Sequence, residues 1–221
     1  PAGEPRFMFL TKTQMQTLAG SHHYGHHAKI IRDAKTISML HEQTLSVLWQ
    51  LAHAARGTIL ELGPYVGGST AVIADAIQPG GRRLITVEMG GGYEAHPHLP
   101  SKDIIADLES NLERFGVRDA VTIVKGMNYA PETVEAVAGH LKGEKVGLLF
   151  IDSDFEFERY FSLYTPFLNN GSFLVFDDFE SEGAPEKAAL VKPFVERGIR
   201  DGFLHDLGVY PWGTWVGQFR F

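Results

Sequence analysis

The stretch Thr58–Ala74, TILELGPYVGGSTAVIA, constrains the chain more than any other. An apolar run, Ile59-Leu60, ends in the acid Glu61. Glycines follow at Gly63, Gly67 and Gly68, then hydroxyls at Ser69 and Thr70, then an apolar pattern of helical period. A buried strand feeding a Gly-rich turn and then a helix brings backbone N–H groups and a helix N-terminus up to a ligand. Gly63 and Gly67 free the backbone for unusual φ values and a close approach. Ser69 and Thr70 stand where a helix starts, so each can cap it or donate to a carboxylate. A Gly-rich turn alone is equally compatible with any βα unit of a doubly wound fold, and the rest of the chain decides between these.

Further strands follow in order. LITVE (84–88), VTIV (121–124), VGLLFIDSD (146–154) and SFLVFDD (172–178) are apolar, and all but VTIV end in acids. Helical patterns separate them: 71–77, 103–115, from Pro131, 156–168 and 186–197, with Asn169-Asn170-Gly171 read as a turn. An earlier amphipathic helix spans Thr36 to Ala55. The last segment reads as two strands about Pro211-Trp212-Gly213. Continuous apolar strands alternating with helices predict an α/β, Rossmann-like doubly wound sheet. It is mostly parallel and seven-stranded, with a C-terminal antiparallel hairpin. Residues 36–221 form the domain. Residues 1–35 form an N-terminal extension that could be a lid, a dimer arm or disordered.

Composition removes several classes. Lys+Arg number 20 against 27 Asp+Glu, a net charge of −7 with no basic run, which argues against a nucleic-acid surface. No cysteine is present, so disulfides, thiolate metal sites and Cys nucleophiles are out. That is compatible with the cytoplasm. No apolar run is long enough for a membrane span, and no secretory signal is expected. The chain has no G-x-S-x-G elbow, which leaves hydrolase chemistry without a nucleophile. His22, His23, His26 and His27 surround Gly25 without a nearby acid, and they read as a solvated loop, as do His96 and His98. Lys187 and Lys192 read as solvent-facing. Tyr210, Trp212 and Trp215 could pack the core or stack on a planar substrate.

The acids at the strand ends are the most informative pattern. Glu61, Glu88, Asp152, Asp154, Asp177 and Asp178 all fall at or just past a strand C-terminus, on the edge where such sheets bind ligands. Gathered carboxylates need hydroxyls, N–H donors or cations to meet them. Glu88 is placed to accept both hydroxyls of a ribose. Asp152, Asp177 and Asp178 offer hard oxygen ligands suited to Mg²⁺ or Ca²⁺.

The run E-L-G-x-x-x-G-G-S-T at 61–70, Glu88, Gly126-Met127-Asn128, F-I-D-S-D at 150–154 and F-D-D at 176–178 resemble the class I S-adenosylmethionine-dependent methyltransferases. More narrowly they resemble the metal-dependent small-molecule O-methyltransferases, the catechol and caffeoyl-CoA type and their bacterial relatives. The resemblance covers about residues 36–221. It implies methyl transfer to a hydroxyl of a small metabolite, with S-adenosylmethionine and Mg²⁺ or another divalent cation as cofactors. Glu61, Gly63, Gly67, Ser69, Glu88, Met89, Asn128 and Asp152 would contact the cofactor. Of these, Gly63 and Gly67 would line the methionine moiety, Ser69 hold its carboxylate, Glu88 the ribose, Met89 flank the adenine and Asn128 stand near its amine. Asp152, Asp177 and Asp178 match the metal-ligand positions. Phe155 stands where the family often carries a lysine general base, which leaves a base from elsewhere (Asp154 or a histidine of 22–27), the metal alone, an already acidic substrate, or a member that no longer methylates. Asp152 and Asp154 are the catalytic candidates. Two other classes stay in view: a non-catalytic nucleoside-binding module, and a dinucleotide oxidoreductase, whose G-x-G-x-x-G pattern this turn lacks. A homo-oligomer is compatible with the sequence.

Overall fold

The computed structural model describes residues 9–20, 27–153, 156–211 and 213–221. The expectations for His22, His23, His26, Asp154, Phe155 and Trp212 fall outside them. Strands β1 (Thr58–Leu62), β2 (Leu84–Glu88), β3 (Val121–Lys125), β4 (Val146–Ile151), β5 (Leu168–Phe176), β6 (Leu204–Tyr210) and β7 (Thr214–Phe219) form one sheet. Its order is β3-β2-β1-β4-β5-β7-β6. The first five run parallel, and β7 pairs antiparallel with both β5 and β6. The sheet and its terminal hairpin are those expected from the sequence.

Successive strand side chains point to opposite faces, so each strand feeds two cores. Ile59, Leu84, Leu148, Phe150 and Val175 pack on one side with α1 (Lys12–Ala19), α2 (Ala28–Ala34), α3 (Glu42–Ala54), α4 (Gly68–Ile77) and α5 (Ile104–Arg114). Leu60, Ile85, Leu149, Leu174 and Phe176 pack on the other with α6 (Pro131–Leu141), α7 (Phe157–Tyr164) and α8 (Pro185–Asp201). Both faces are covered, which is why the strands read as unbroken apolar runs. The segment before residue 36 adds to the first core: Met15, Ala19, Ile31 and Ala34 are buried. No helix among the described residues is long and apolar enough to cross a membrane.

Three of the boundaries that differ from the sequence reading have a local cause. The helix expected from Thr36 begins only at Glu42, because residues 35–41 satisfy one another locally. Ser38 is extended and its hydroxyl accepts the Leu40 N–H, while the Lys35 ammonium donates to the carbonyls of Ser38 and Leu40. Such local bonds compete with helix formation, and His41 then caps α3 through its ring Nδ1. The helix expected to reach Leu168 stops at Tyr164: Thr165 keeps helical angles, but Pro166 has no N–H to carry the ladder on, and residues 165–167 tighten into a 3₁₀ turn.

Asn169-Asn170-Gly171, expected as a turn, lies inside β5. Val146 faces Leu168 and Leu148 faces Phe173, so the extra residues bulge out of the ladder, with Gly171 at φ +85°. Ser172 stabilises the bulge by accepting the Asn169 N–H at 2.8 Å and donating to the Val146 carbonyl at 2.7 Å. Ser172→Ala leaves both backbone groups without that partner, with an expected cost of about 1–2 kcal/mol. Urea denaturation checks this, and an unchanged midpoint would show that water replaces the hydroxyl at no cost.

His27 is buried, not solvated. It stacks on Trp49 at 4.6 Å between centroids and lies 3.1 Å from the Ser46 hydroxyl. Trp215 is a core residue, stacked on Phe176 at 5.1 Å with its indole N–H on Asp206.

Candidate functional site

The strand order reverses between β1 and β4, since the chain runs outward through β2 and β3 before crossing back. That switch point is where open parallel sheets leave a crevice at their C-terminal edge. Here backbone bonds align the strand ends: Gly63 N–H on the Val87 carbonyl, Asp152 N–H on Leu62, and Asp177 N–H on Ile151, all 3.0–3.1 Å. The residues just past β1, β4 and β5 therefore sit side by side. A cleft of about 1100 Å³ opens above them, lined by Gly63, Ser69, Asp152, Asp177, Asp178 and Lys187 among others.

The glycine turn is built by left-handed residues: Gly63 at φ +88°, Tyr65 at +52° and Gly67 at +94°. The close approach that the glycines permit is between chain segments. A Cβ on Gly63 would stand 2.1 Å from the Asp152 carbonyl oxygen, one on Gly67 2.6 Å from Leu108 Cδ1, and one on Gly68 2.5 Å from Ser38 Cβ. Gly67, not Ser69 or Thr70, is the N-cap of α4, and it makes no side-chain capping bond. The two hydroxyls turn instead to Glu61, at 2.6 Å from Ser69 and 2.8 Å from Thr70, and Thr86 adds a third at 2.9 Å. Glu61 is fully buried beneath this first turn, not on the rim. Burial raises its carboxyl above the usual range, against the opposing pull of the three hydroxyls.

Glu88 ends β2 nearly buried. Its carboxylate accepts the backbone N–H of Tyr65 at 3.2 Å and of Gly90 at 2.9 Å, which aims it from the glycine turn. Met89 beside it is exposed. Asn128 is half-buried before α6, where its carbonyl accepts the Tyr164 hydroxyl. These three residues are not among those lining the main cleft. The structure thus divides the sequence-derived set into an acid group inside the cleft and a second group, Glu88, Met89 and Asn128, around the ends of β2 and β3.

Asp152, Asp177 and Asp178 each offer an oxygen within 4.8 Å of the others. Asp177 accepts the Thr214 hydroxyl from the start of β7. Asp178 is held at φ +57°, a left-handed conformation that aspartate tolerates better than most residues. Burial pushes the Asp152 carboxyl up to about 6; Lys187 opposes that, and Asp178 and Glu61 add to it. Burial, followed by repulsion from Asp152 and Asp178, also holds Asp177 well above the carboxylate range. Three crowded acids with hard oxygen donors fit a divalent cation.

Sequence reasoning missed two participants. Lys187, read as solvent-facing, sits among the triad, its Nζ 2.9 Å from Asp178 Oδ2 and 4.0 Å from Asp152 Oδ1. Burial lowers its pKa, but Asp152 and Asp178 outweigh that and the net shift is upward. The signal was its place in the first turn of a helix that starts beside the strand C-terminal edge. The second is the loop after β2. His96, expected in solvent, stacks on Tyr65 at 5.3 Å and meets Tyr93 edge-on at 5.2 Å, and its Nδ1 accepts the N–H groups of His98 and Leu99. The Tyr65 hydroxyl donates to the Leu99 carbonyl, so this loop is laid across the glycine turn and forms one wall of the cleft.

A family model described as "Methyltransferase domain" matches residues 60–179. No curated protein matches the sequence. Solved structures share the fold at low identity. Cofactor-bound Rv0187 from MTB is 22% identical, with a TM-score of 0.64 over 96% of this chain and 99% of its own. An O-methyltransferase from Bacillus cereus in complex with SAH is 19% identical, at 0.61 over 95% and 90%. The SAH-bound methyltransferase PaMTH1 of Podospora anserina is 15% identical, at 0.64 over 99% and 100%.

Proposed function

The chain belongs to the methyltransferase domain family, and from that premise we propose that it methylates a hydroxyl of a small metabolite, using S-adenosylmethionine and a divalent cation. The observation that carries this reading is the division of the strand-end acids across the switch point. Glu88, preset by two backbone N–H groups, stands on one side, and three convergent aspartates stand on the other. The structural neighbours that hold SAH or a cofactor support the choice of methyl donor.

When bound, S-adenosylmethionine supplies an electrophilic methyl on a sulfonium, and a cation held by Asp152, Asp177 and Asp178 supplies Lewis acidity at the acceptor oxygen. The chain's own residues do the rest. Glu88 accepts the ribose hydroxyls through the carboxylate that the Tyr65 and Gly90 N–H groups orient. Met89 and Asn128 flank the adenine, and Gly63 and Gly67 border the methionine moiety. Because the Ser69 hydroxyl is committed to Glu61, its backbone N–H, one of those left without an intrahelical partner at the start of α4, meets the methionine carboxylate. Glu61 acts from below by fixing Ser69 and Thr70. Holding nucleophile and methyl group in line accounts for a large part of the rate.

Isothermal titration with S-adenosylmethionine tests the cofactor half. Glu88→Ala should weaken binding by about 10- to 100-fold, the worth of hydrogen bonds to a charged group. Equal affinity in the variant would remove Glu88 from the cofactor site. Methyl incorporation from labelled donor into hydroxylated acceptors tests the rest. Tight binding with no cation site and no transfer would point to a nucleoside-binding module.

A further inference from the structure

We propose that Lys187 is a tethered counter-cation of the aspartate triad, and that a divalent ion enters the site by displacing its ammonium. This rests on the cation-assisted reading of the site and goes beyond it by assigning a resident competitor.

The geometry carries the inference. Among the described residues, the ion pairs that Asp152 and Asp178 make are both with Lys187. The side chains of Lys187, Asp152 and Asp178 are 26%, 28% and 15% exposed, so water screens these contacts only in part. Asp177 is held by the Thr214 hydroxyl, which brings no charge. Lys187 therefore supplies the positive charge that keeps three adjacent carboxylates tolerable in one wall of a cleft.

The ammonium and a divalent ion need the same oxygens. An ammonium 2.9 Å from Asp178 Oδ2 and 4.0 Å from Asp152 Oδ1 competes with an ion for those oxygens, and the like charges repel. Lysine suits the role of movable plug, being a compact charge on a flexible four-carbon stem. It stands two residues past Pro185, the first residue of α8. The lining of the cleft runs from Glu180 to Ala184 and on to Lys187, so the side chain has open volume to swing into without unwinding the helix.

The test is a titration of the full chain with Mn²⁺, reading free ion by electron paramagnetic resonance, without methyl donor or acceptor. Lys187→Met keeps the length and flexibility of the side chain and removes its charge. It should bind Mn²⁺ at least about tenfold more tightly than wild type, the scale of a charge-assisted contact. Lys187→Gln should follow it, and Lys187→Arg, which keeps the charge, should bind as weakly as wild type. Equal affinities in wild type and Lys187→Met would overturn the proposal while leaving the cation site standing. Failure of every variant to bind Mn²⁺ would remove the cation site and the competitor together. Circular dichroism of each variant guards against misfolding.

Discussion

Asp152→Asn should make the metal-free protein more stable at pH 7.5 by about 1–3 kcal/mol, and slow methyl transfer by at least about 100-fold. The two effects have one cause. Burial lifts the Asp152 carboxyl from 3.8 to about 6, so the folded state holds its proton more tightly than the unfolded chain does. A raised carboxyl pKa means that stability falls as pH climbs from about 4 through about 6, because ionising the group is harder in the fold. At one pKa unit per 1.36 kcal/mol the shift is worth about 3 kcal/mol. The ion pair with Lys187 that the variant gives up reduces the gain. Asparagine keeps the shape without the charge, so it escapes the penalty but loses an anionic oxygen donor. Denaturation in EDTA at pH 7.5 and at pH 4 separates the contributions. The variant's advantage should shrink through pH 6 and vanish near pH 4, where both proteins carry a neutral side chain. An advantage that persists at pH 4 would mean a packing effect unrelated to charge.

The second large effect concerns the glycine turn. Gly63→Ala should cost about 2–5 kcal/mol, adding the strain of a left-handed non-glycine residue to that of overpacking. Its Cβ would be placed against the Asp152 carbonyl oxygen, which is backbone and cannot rotate away. Asp152 must then shift, so methyl-donor and cation affinity should fall together with stability. Gly81→Ala is the control. Gly81 is also left-handed, at φ +61°, but nothing lies within 4 Å of a Cβ there, so it should cost only about 1–2 kcal/mol. Similar denaturation midpoints for the two variants would show that the clash relaxes without cost.

Much of this site could be read in the chain because it depends on strand ends. An apolar run that stops at Glu88, Asp152 or Asp177 locates the acid on the sheet edge, and parallel order does the rest. What escaped depends on loops and helix phase. Lys187 reached the triad because the turn after β5 and the first residues of α8 aim it there, and no local pattern records that direction. Glu61 carries the same strand-end signature as Glu88, yet three hydroxyls from α4 and β2 enclose it. Telling a rim acid from a buried one required knowing that Ser69, Thr70 and Thr86 would all face inward. His27 and His96 misled for a related reason, since a histidine amid glycine and proline reads as exposed until an aromatic partner distant in sequence, Trp49 or Tyr65, is brought against it.

The placement of β7 between β5 and β6 affects how the protein assembles. β6 is made earlier in the chain but has no sheet partner until β7 slots in, and until then β5 presents an unpaired edge ending at Asp177. A partly folded molecule in that condition offers this edge as a template for a strand from another molecule. Variants that slow the pairing of β7 should therefore be lost to aggregation before any defect in chemistry can be measured.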